Sequence, residues 1–360
     1  MKAILLAGGF GTRLRPLTLH TPKPVVPIFD RPFLYHQIQL LKTLPEVDEV
    51  ILSLNYRPER IEQVIGDGSA LGLPVRYMVE PEPLGTGGAI KYAAQSVDDT
   101  LVVFNGDVLT DTDLPAMLRT HRENKARATI VLTAVPNPQA YGLVETDERG
   151  QVRRFLEKPE PNQVTCDTIN AGLYVLEPET FDRIPSETKW SIERQYFPSL
   201  VDRGETFMAH LHRGYWIDIG TPEKYLQAHR DIMTGRCAAY PFLGRPADDT
   251  VVANDAIVAN GATLVGPCYI ASGATVAAGA RIGPQTVVGT HCVVEAGAVL
   301  ERSVLWPEST IGTEARVDGA ILGRHVRLDE HASAGPGVVI GDGSHITAHT
   351  RLAEATPAGR

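Results

Sequence analysis

The chain has 360 residues, of which 43% are hydrophobic and 21% charged, and its formal net charge is −9. This length predicts about two domains, and the apolar fraction is large enough for substantial cores. An acidic balance disfavours nucleic-acid binding, which needs a basic face. The apolar run from Ala3 to Ala7 is too short for a signal peptide or a membrane-spanning helix, so no membrane association is expected. Four cysteines without C-x-x-C spacing predict free thiols in a cytoplasmic protein.

The first two thirds of the sequence alternate strand-like and helix-like segments. Short β-rich runs occupy 2–7, 48–54, 74–79 and 99–104, and helical spacing of apolar residues occupies 31–44, 57–65 and 85–95. This alternation predicts parallel βαβ units with a covered sheet. Pro32 is expected near one helix start, and Thr221 with Pro222 is expected to open a helix that ends at Gly235.

The pattern changes after Gly235, where 236–250 resembles a linker and 251–353 carries a repeat. An aliphatic residue recurs at every sixth position from Val252 to Leu300, with a small or β-branched residue four positions later, and the pattern slips by one at Leu305 and again at Leu322. This period is typical of a hexapeptide β-helix, in which each step forms one flat side of a coil. Two cysteines follow the small-residue register and are expected in the coil core, whereas five histidines match no metal-ligand spacing and are expected on the surface: Cys268, Cys292, His291, His325, His331, His345 and His349.

The opening stretch is basic and rich in glycine, and the first acidic residue of the chain is Asp30. A Walker loop is excluded because the chain contains no Gly-Lys pair, and a dinucleotide fingerprint fails because Leu14 stands where the third glycine is needed. Another phosphate loop fits, in which glycines let backbone N–H groups approach a triphosphate. Arg13 and Lys23 would then stabilise departing pyrophosphate. The alternative is a glycine-rich turn with solvated basic side chains.

Several motifs together resemble the sugar-nucleotide pyrophosphorylases, which join a nucleoside triphosphate to a sugar 1-phosphate. The signature parts are "GGFGTRL" at 8–14, "PLT" at 16–18 and "PKP" at 22–24. The resemblance extends over essentially the whole chain, with further matching stretches at 80–90, 102–109, 155–159, 169–176, 191–198 and 215–222. The resemblance implies an α/β fold, with a Rossmann-like nucleotidyltransferase domain over 1–235 that has a mixed, mostly parallel sheet. A C-terminal left-handed hexapeptide β-helix occurs in one branch of this family.

Two aspartates follow apolar strand-like runs, Asp107 in "LVVFNGD" and Asp218 in "YWIDIG". A carboxylate just beyond the end of a parallel strand lies where open α/β sheets bind ligands. The resemblance assigns both to a metal, Mg²⁺ or Mn²⁺, for which carboxylate oxygens are suitable ligands. Each aspartate taken alone could instead cap a helix or stabilise a turn.

The resemblance also implies sets of binding residues. The nucleotide set is Leu6, Gly8, Gly9, Gly11, Thr12, Glu80, Gly85 and Asp107, and the sugar-phosphate set is Gly142, Glu157, Lys158 and Asn170. Glu80 precedes the glycine-rich turn at 85–88, and a carboxylate would accept both N1–H and the exocyclic amine of guanine. Alternatively, Glu80 ends a strand in solvent, and Glu157 with Lys158 forms an exposed ion pair of little energetic value. Glu193 could be a sugar contact or a structural residue.

The activity implied by the resemblance is transfer of GMP from GTP to mannose 1-phosphate, which gives GDP-mannose and pyrophosphate. Arg13, Lys23 and Lys158 would catalyse this in-line displacement by positioning and charge neutralisation. The alternatives are the same reaction with another pair, such as dTTP or UTP with glucose 1-phosphate, an acyltransferase β-helix, or a regulatory protein that binds sugar nucleotide without turnover. The absence of lysine after Lys224 weighs against the acyltransferase, and the intact loop and aspartates weigh against the regulatory protein. A homo-oligomer that involves the β-helix is expected.

Overall fold

A computed structural model describes residues 1–353 and divides the chain into two compact units. Unit 1 comprises Met1–Phe10 and Leu34–Trp216, and among the described residues unit 2 comprises Gly11–Phe33 and 217–353. The division by packing therefore passes through the opening loop. The domain ranges predicted from sequence, 1–235 and 251–353, follow a change of pattern instead and stay a prediction. Within residues 1–353, no helix has the length and apolar character needed to cross a membrane.

Unit 1 is built on a nine-stranded mixed sheet. Its central strands are parallel, as the βαβ alternation predicted, and antiparallel strands extend it on one side. The main order is Val152–Glu157, Gly142–Thr146, Thr168–Leu176, Leu101–Asn105, Lys2–Leu6, Glu49–Leu54 and Val75–Val79, while Ala128–Ala134 pairs with Thr168–Leu176 and with Phe207–His212. The central strands are almost fully buried because both faces of a parallel sheet are covered.

The other elements of unit 1 begin where capping residues or proline favour a helix start. Asp113, for example, accepts a hydrogen bond from Ala116 N at 2.8 Å and caps the following helix. The helices are Phe33–Leu41, Pro58–Ile65, Gly85–Ala93, Leu114–Glu123 and Phe197–Asp202, with a π-helical turn over Ile192–Tyr196 and a short strand at Val108–Thr110. The division between the units falls within two elements, since Phe33 belongs to unit 2 and the strand Trp216–Asp218 begins at the last residue of unit 1 and ends in unit 2.

Most of unit 2 is the predicted β-helix, which consists of three parallel sheets of six strands each. One sheet contains Thr250–Val252, Cys268–Ile270, Thr286–Val288, Val304–Leu305, Ile321–Leu322 and Val339–Ile340. The second contains Ile257–Val258, Thr275–Val276, Val293–Val294, Thr310–Ile311, Arg327–Leu328 and His345–Ile346, and the third contains Thr263–Leu264, Arg281–Ile282, Val299–Glu301, Arg316–Asp318, Ser333–Ala334 and Arg351–Leu352. The repeating aliphatic and small residues from Cys268 to Ile340 form one continuous core, which confirms the period.

The slip in the repeat is a shortened coil. Ile270 pairs with Val288, and Val288 pairs with Leu305, one residue sooner than the preceding spacing. Both core cysteines are fully buried, and burial raises the pKa of the Cys268 and Cys292 thiols. The five histidines are exposed as predicted, and four of them take a left-handed backbone conformation: His291, His325, His331 and His349.

Three further segments complete unit 2. The helix Pro222–Met233 begins as predicted, because the Thr221 hydroxyl accepts from Lys224 N at 3.4 Å. Pro32 lies near a helix start as predicted, because the helix Phe33–Leu41 begins at the next residue. Pro32 itself ends the two-residue strand Arg31–Pro32, which pairs with Pro27–Ile28. The predicted linker is not an open tether, since the side chains of Cys237 and Phe242 within it are buried.

Candidate functional site

The central strand of unit 1 ends at a topological switch point. Lys2–Leu6 lies between Glu49–Leu54, which follows it in the chain, and Leu101–Asn105, which the chain reaches only after Val75–Val79 at the sheet edge. The order of the strands therefore reverses at Lys2–Leu6. Leu6 is in register with Ser53 on one side and with Asn105 on the other. Ligands of open α/β sheets bind in the crevice beyond such strand ends. The loops that follow Leu6 and Asn105 are therefore the candidate phosphate-binding segments of unit 1.

Both loops depend on glycine because backbones approach closely there. A Cβ at Gly8 would lie 3.1 Å from Asn55 N, and a Cβ at Gly106 would lie 2.3 Å from Leu6 O. Gly9, by contrast, has open space around it. The half-buried Asp107 directly follows Gly106. The close packing of Gly106 against Leu6 therefore fixes the position of the main chain at Asp107.

A buried glutamine also supports the loop that carries Asp107. The side-chain amide of Gln37 donates to Asn105 O at 2.9 Å and to Val108 O at 3.0 Å, and Gln37 is almost fully buried. It therefore joins the two ends of the 105–108 loop. Sequence reasoning missed this residue, because Gln37 looks like an ordinary polar position of an amphipathic helix.

Glu80 is buried rather than exposed at a strand end. Its Oε1 accepts from Ser53 Oγ at 3.1 Å, and its Oε2 accepts from Leu84 N at 2.9 Å. Burial raises the pKa of the Glu80 carboxyl, while these two hydrogen bonds act in the opposite direction. Each oxygen keeps a second acceptor position, so Glu80 is able to stabilise the turn at 80–84 and still accept from a ligand.

The glycine-rich turn at 85–88 is the first turn of the helix Gly85–Ala93, in agreement with the helical spacing over 85–95. Its glycines admit a neighbouring backbone, because a Cβ at Gly85 or at Gly88 would lie 2.8 Å from a carbonyl oxygen, that of Trp190 or of Thr188. Gly87 N and Gly88 N both donate to Trp190 O, at 2.9 and 3.1 Å. These glycines therefore dock the segment that leads to Glu193.

Two predicted sugar-phosphate residues face one another on paired strands. Gly142 is in register with Glu157, and a Cβ at Gly142 would lie 2.9 Å from Glu157 Oε2. The glycine thus leaves room for the carboxylate. Burial, and next the negative charge of Glu193, raise the pKa of the half-buried Glu157 carboxyl.

Glu193 belongs to the same part of unit 1 as Glu157. Glu193 lies in the π-helical turn Ile192–Tyr196. Its Oε2 accepts from Thr86 Oγ1 at 2.7 Å and from Ser191 Oγ at 2.8 Å. These bonds give Glu193 a structural role, and a contact with the sugar stays a prediction. The carboxylate holds this turn and also affects the charge of Glu157.

Asn170 is oriented by bonds on both sides of its amide. Its Nδ2 donates to Tyr174 Oη at 2.9 Å, and its Oδ1 accepts from Gly172 N at 2.8 Å. Lys158 is exposed and adopts a left-handed backbone with φ 51°. Its backbone N donates to Tyr141 O at 3.1 Å, so the main chain is held while the ammonium remains accessible.

Unit 2 holds the cationic end of the opening loop. Gly11 has φ +61°, and a Cβ there would lie 3.1 Å from Lys23 Cβ and 3.2 Å from Thr18 Cγ2. Thr18 Oγ1 donates to Gly11 O at 2.7 Å. The glycine is therefore required twice, by its left-handed backbone and by the close approach of the Lys23 segment.

Arg13, Asp218 and Lys224 meet around a further glycine of unit 2. A Cβ at Gly220 would lie 2.9 Å from Arg13 Nη2 and 3.1 Å from Asp218 Oδ2. Asp218 is nearly buried, and the Lys224 ammonium forms an ion pair with its Oδ1. The exposed Thr12 is the first residue of the single 3-10 turn that carries Arg13. In the part of the chain that the structure describes, no three His, Cys, Asp or Glu side chains are arranged to hold a metal ion.

Comparison with known proteins matches two regions of the chain to described families. Residues 2–235, more than half of the chain, match the family described as Nucleotidyl transferase. The chain belongs to the nucleotidyl transferase family. Residues 264–356 match the family described as GMPPB C-terminal domain.

Relatives match mainly over the first of these regions. Mannose-1-phosphate guanylyltransferase of Mycobacterium tuberculosis is 45% identical over 235 residues, which are 65% of this chain and 65% of that protein. The catalytic subunit beta of mannose-1-phosphate guanylyltransferase from Xenopus tropicalis is 38% identical over 242 residues, or 66% of this chain and 64% of the relative. The matched region thus spans less than two thirds of either relative's length.

Solved structures share the fold. HddC from Yersinia pseudotuberculosis, crystallised with GMP-PN, is 31% identical with a TM-score of 0.54, and the match covers 63% of this chain and 97% of HddC. A putative glucose-1-phosphate thymidylyltransferase from Bacillus anthracis, in complex with a sucrose, is 24% identical with a TM-score of 0.58, over 63% and 93% of the two chains. The second likeness concerns the fold alone.

Proposed function

We propose that the protein transfers GMP from GTP to mannose 1-phosphate, forming GDP-mannose and pyrophosphate. The observation that carries this proposal is the glycine-rich loop that follows the central strand at the switch point of the sheet and leads to the closely packed Gly11 and Lys23. The names of relatives that are 38–45% identical, all mannose-1-phosphate guanylyltransferases, support the choice of substrates. The GMP-PN bound to HddC agrees with a guanine nucleotide.

The reaction is a direct displacement at the α-phosphorus of the nucleotide. An oxygen of the sugar phosphate forms the new P–O bond, and the bond to pyrophosphate breaks in line with it. The attacking phosphate is already anionic, so no side-chain nucleophile or general base is required. Arg13 and Lys23 neutralise the departing pyrophosphate, and Lys158 holds the attacking phosphate.

The remaining residues position the two substrates. Leu6, Gly8, Gly9, Gly11 and Thr12 supply backbone contacts to the nucleotide phosphates and sugar, and Glu80 with Gly85 lies at the base. Gly142, Glu157 and Asn170 bind the mannose hydroxyls. We add Glu193 to this sugar group, because its charge acts on Glu157.

The donor set suits a divalent cation. Asp107 and Asp218 offer hard oxygen ligands, and the Lys224 ammonium on Asp218 indicates that this carboxylate attracts positive charge. We propose that these two aspartates hold Mg²⁺ or Mn²⁺. When bound, the cation would supply positive charge to the phosphate oxygens. Assembly of a homo-oligomer through the β-helix and a cytoplasmic location stay predictions.

The test is a matrix of nucleoside triphosphates against sugar 1-phosphates, with pyrophosphate release measured in the presence of Mg²⁺. GTP, ATP, CTP, UTP and dTTP are each combined with the 1-phosphates of mannose, glucose and galactose. We expect GTP with mannose 1-phosphate to give the highest kcat/KM. Higher values for dTTP or UTP with glucose 1-phosphate would overturn the substrate assignment, and binding of GDP-mannose without turnover of any pair would indicate a regulatory protein.

A further inference from the structure

One corner of the β-helix carries a column of small residues that a single tryptophan interrupts. The column consists of the residues that directly follow the inward aliphatic of each strand in one sheet: Ala253, Ala271, Gly289, Trp306, Gly323 and Gly341. Small residues are needed next to Trp306, since a Cβ at Gly289 would lie 2.8 Å from the Trp306 carbonyl carbon. Trp306 is nevertheless only 1% exposed, so its indole must be covered from outside the coil.

The cover is the helix Pro222–Met233 of the same unit. Trp306 Nε1 donates to Tyr225 Oη at 2.9 Å, and the two ring centroids are 6.4 Å apart. The Tyr225 hydroxyl in turn donates to the Pro27 carbonyl oxygen. Tyr225 is fully buried, so removing its hydroxyl would leave both the indole N–H and the Pro27 carbonyl without this partner in a dry environment.

Pro27 belongs to the segment that carries Lys23. Val26 N donates to Lys23 O at 3.2 Å, which closes a turn immediately before Pro27, and Phe33 N donates to Val26 O at 2.9 Å. The segment is also held two residues further on. Phe29 N donates to His229 Nε2 at 3.2 Å, and His229 Nδ1–H donates to Tyr225 O at 2.9 Å.

The same corner column contacts the opening loop a second time. A Cβ at Gly341 would lie 3.1 Å from Pro16 Cβ, so the coil lies directly against the residue that follows Arg15. Two points of one coil corner therefore support the opening loop on either side of Lys23, Gly341 at Pro16 and Trp306, through Tyr225, at Pro27.

We propose that Trp306 is a positioning residue for Lys23, acting through Tyr225 and Pro27, so that the β-helix sets the rate of the reaction from within its own chain. The inference rests on the proposed function, in which Lys23 neutralises departing pyrophosphate. A displacement of about 1 Å at a reacting group lowers rates by about 10²-fold, so loss of one link of the relay is expected to matter. Because Lys23 acts on charge that develops in the transition state, the effect falls on kcat more than on KM.

The test uses the full-length variants Trp306→Phe, Tyr225→Phe and the double variant, each of which keeps an aromatic ring. We expect each single change to lower kcat about tenfold with KM for the nucleotide within about twofold. The double variant is expected to be no worse than the more severe single variant, because both remove the same relay. Ile311→Ala, a truncation in the coil core, serves as a control that destabilises the β-helix without touching the relay.

Hydrogen exchange provides a readout that needs no substrate. In Trp306→Phe and Tyr225→Phe, the peptide covering residues 22–33 is expected to exchange faster than in the wild type, whereas Ile311→Ala changes only coil peptides. Faster exchange in a protein that releases no pyrophosphate would overturn the proposed function and keep the relay. Unchanged exchange and unchanged kcat in both relay variants, or equal losses of kcat in Ile311→Ala, would overturn the relay.

Discussion

The candidate functional residues of the two units differ in charge. Unit 1 contributes buried or half-buried carboxylates, Glu80 and Glu157, whose pKa values are raised, and each is held by strands or turns. Unit 2 contributes the exposed Arg13 and the half-buried Lys23 on a loop packed against a helix and a coil. Under the proposed function, the carboxylates Glu80 and Glu157 of unit 1 bind the base and the sugar, whereas Arg13 and Lys23 of unit 2 neutralise phosphate charge. Substitutions of these carboxylates should then act mainly on KM and selectivity, and substitutions of these two cations mainly on kcat.

Substitution of the two proposed metal ligands gives the largest expected effect. Asp107 lies in unit 1 and Asp218 in unit 2, so these variants are expected to lower kcat whichever unit is changed. Asp107→Asn and Asp218→Asn should each lower kcat by about 10²–10³-fold, because loss of an anionic ligand weakens the cation that supports the phosphate charge. Steady-state kinetics over a range of Mg²⁺ concentrations, with Mn²⁺ binding followed by electron paramagnetic resonance, would measure this.

Asp202→Asn is the control for the metal assignment, since Asp202 is an exposed carboxylate at the end of the helix Phe197–Asp202. Near-normal rates and Mn²⁺ affinity in both aspartate variants would show that the metal ligands lie elsewhere. An effect of only one of them would assign the metal to a single unit.

The sugar group tests selectivity in unit 1. Glu157→Gln and Glu193→Gln should each raise KM for mannose 1-phosphate by about tenfold with a smaller change in kcat, because hydrogen bonds to a charged group contribute about 1.5–3 kcal/mol. The charge of Glu193 raises the pKa of Glu157, so Glu193→Gln should lower that pKa. Protonated Glu157 accepts fewer hydrogen bonds, so KM for mannose 1-phosphate should rise as the pH falls through the pKa of Glu157. Because that pKa is lower in Glu193→Gln, the rise of KM should occur at a lower pH in this variant than in the wild type.

Profiles of KM against pH for the wild type and Glu193→Gln would decide this, since titration of the substrate phosphate is common to both. Thr86→Val is a matched control, because it removes a hydrogen bond to Glu193 and keeps the carboxylate. Identical acid limbs in the two profiles would separate Glu193 from Glu157 and leave Glu193 with a structural role only.

Substitution of Glu80 tests how the protein recognises the base of the nucleotide. Glu80→Gln should raise KM for GTP and narrow the preference over dTTP and UTP by about 1–3 kcal/mol, because an amide accepts with only one of its two polar atoms. Ser53→Ala removes the hydroxyl that donates to Oε1 and keeps the charge, so it controls for loss of the internal network. If Ser53→Ala and Glu80→Gln lose GTP preference equally, the contribution of Glu80 is structural, and an unchanged preference in both would place base recognition elsewhere.

The sequence predicted most of the fold because its repeats are local. A six-residue period requires only that every inward position be aliphatic, and the glycine spacing of the opening loop is visible within a few residues. The division of that loop between two units was not predictable, since it depends on contacts such as Phe29 N to His229 Nε2, across 200 residues of sequence. Gln37 and Glu193 were missed or left open for the same reason, because their partners are distant in the chain.

Substitution of Lys224 tests the proposed metal ligand of unit 2, Asp218. Its ion pair with Asp218 competes with a bound cation for the same carboxylate. Lys224→Gln should therefore lower the Mg²⁺ concentration for half-maximal activity by about twofold to threefold, and Mn²⁺ titration should give the same shift without substrate. Lys189→Gln, at an exposed lysine of unit 1, controls for the lost charge. A higher Mg²⁺ requirement in Lys224→Gln would mean that Lys224 helps to hold the cation's ligands in place.

The smallest expected effect concerns the corner of the coil. Gly341→Ala places a Cβ 3.1 Å from Pro16 Cβ, so Pro16 must move by a few tenths of an ångström and take part of the Arg13 loop with it. We expect kcat to fall by about twofold with little change in the unfolding temperature. Gly335→Ala is the matched control, because its Cβ meets only Leu352 O at an ordinary 3.5 Å and neither glycine has a positive φ. If the two variants have equal kcat, contact of the coil with Pro16 does not influence the loop, and the β-helix would act on the reaction through Trp306 alone.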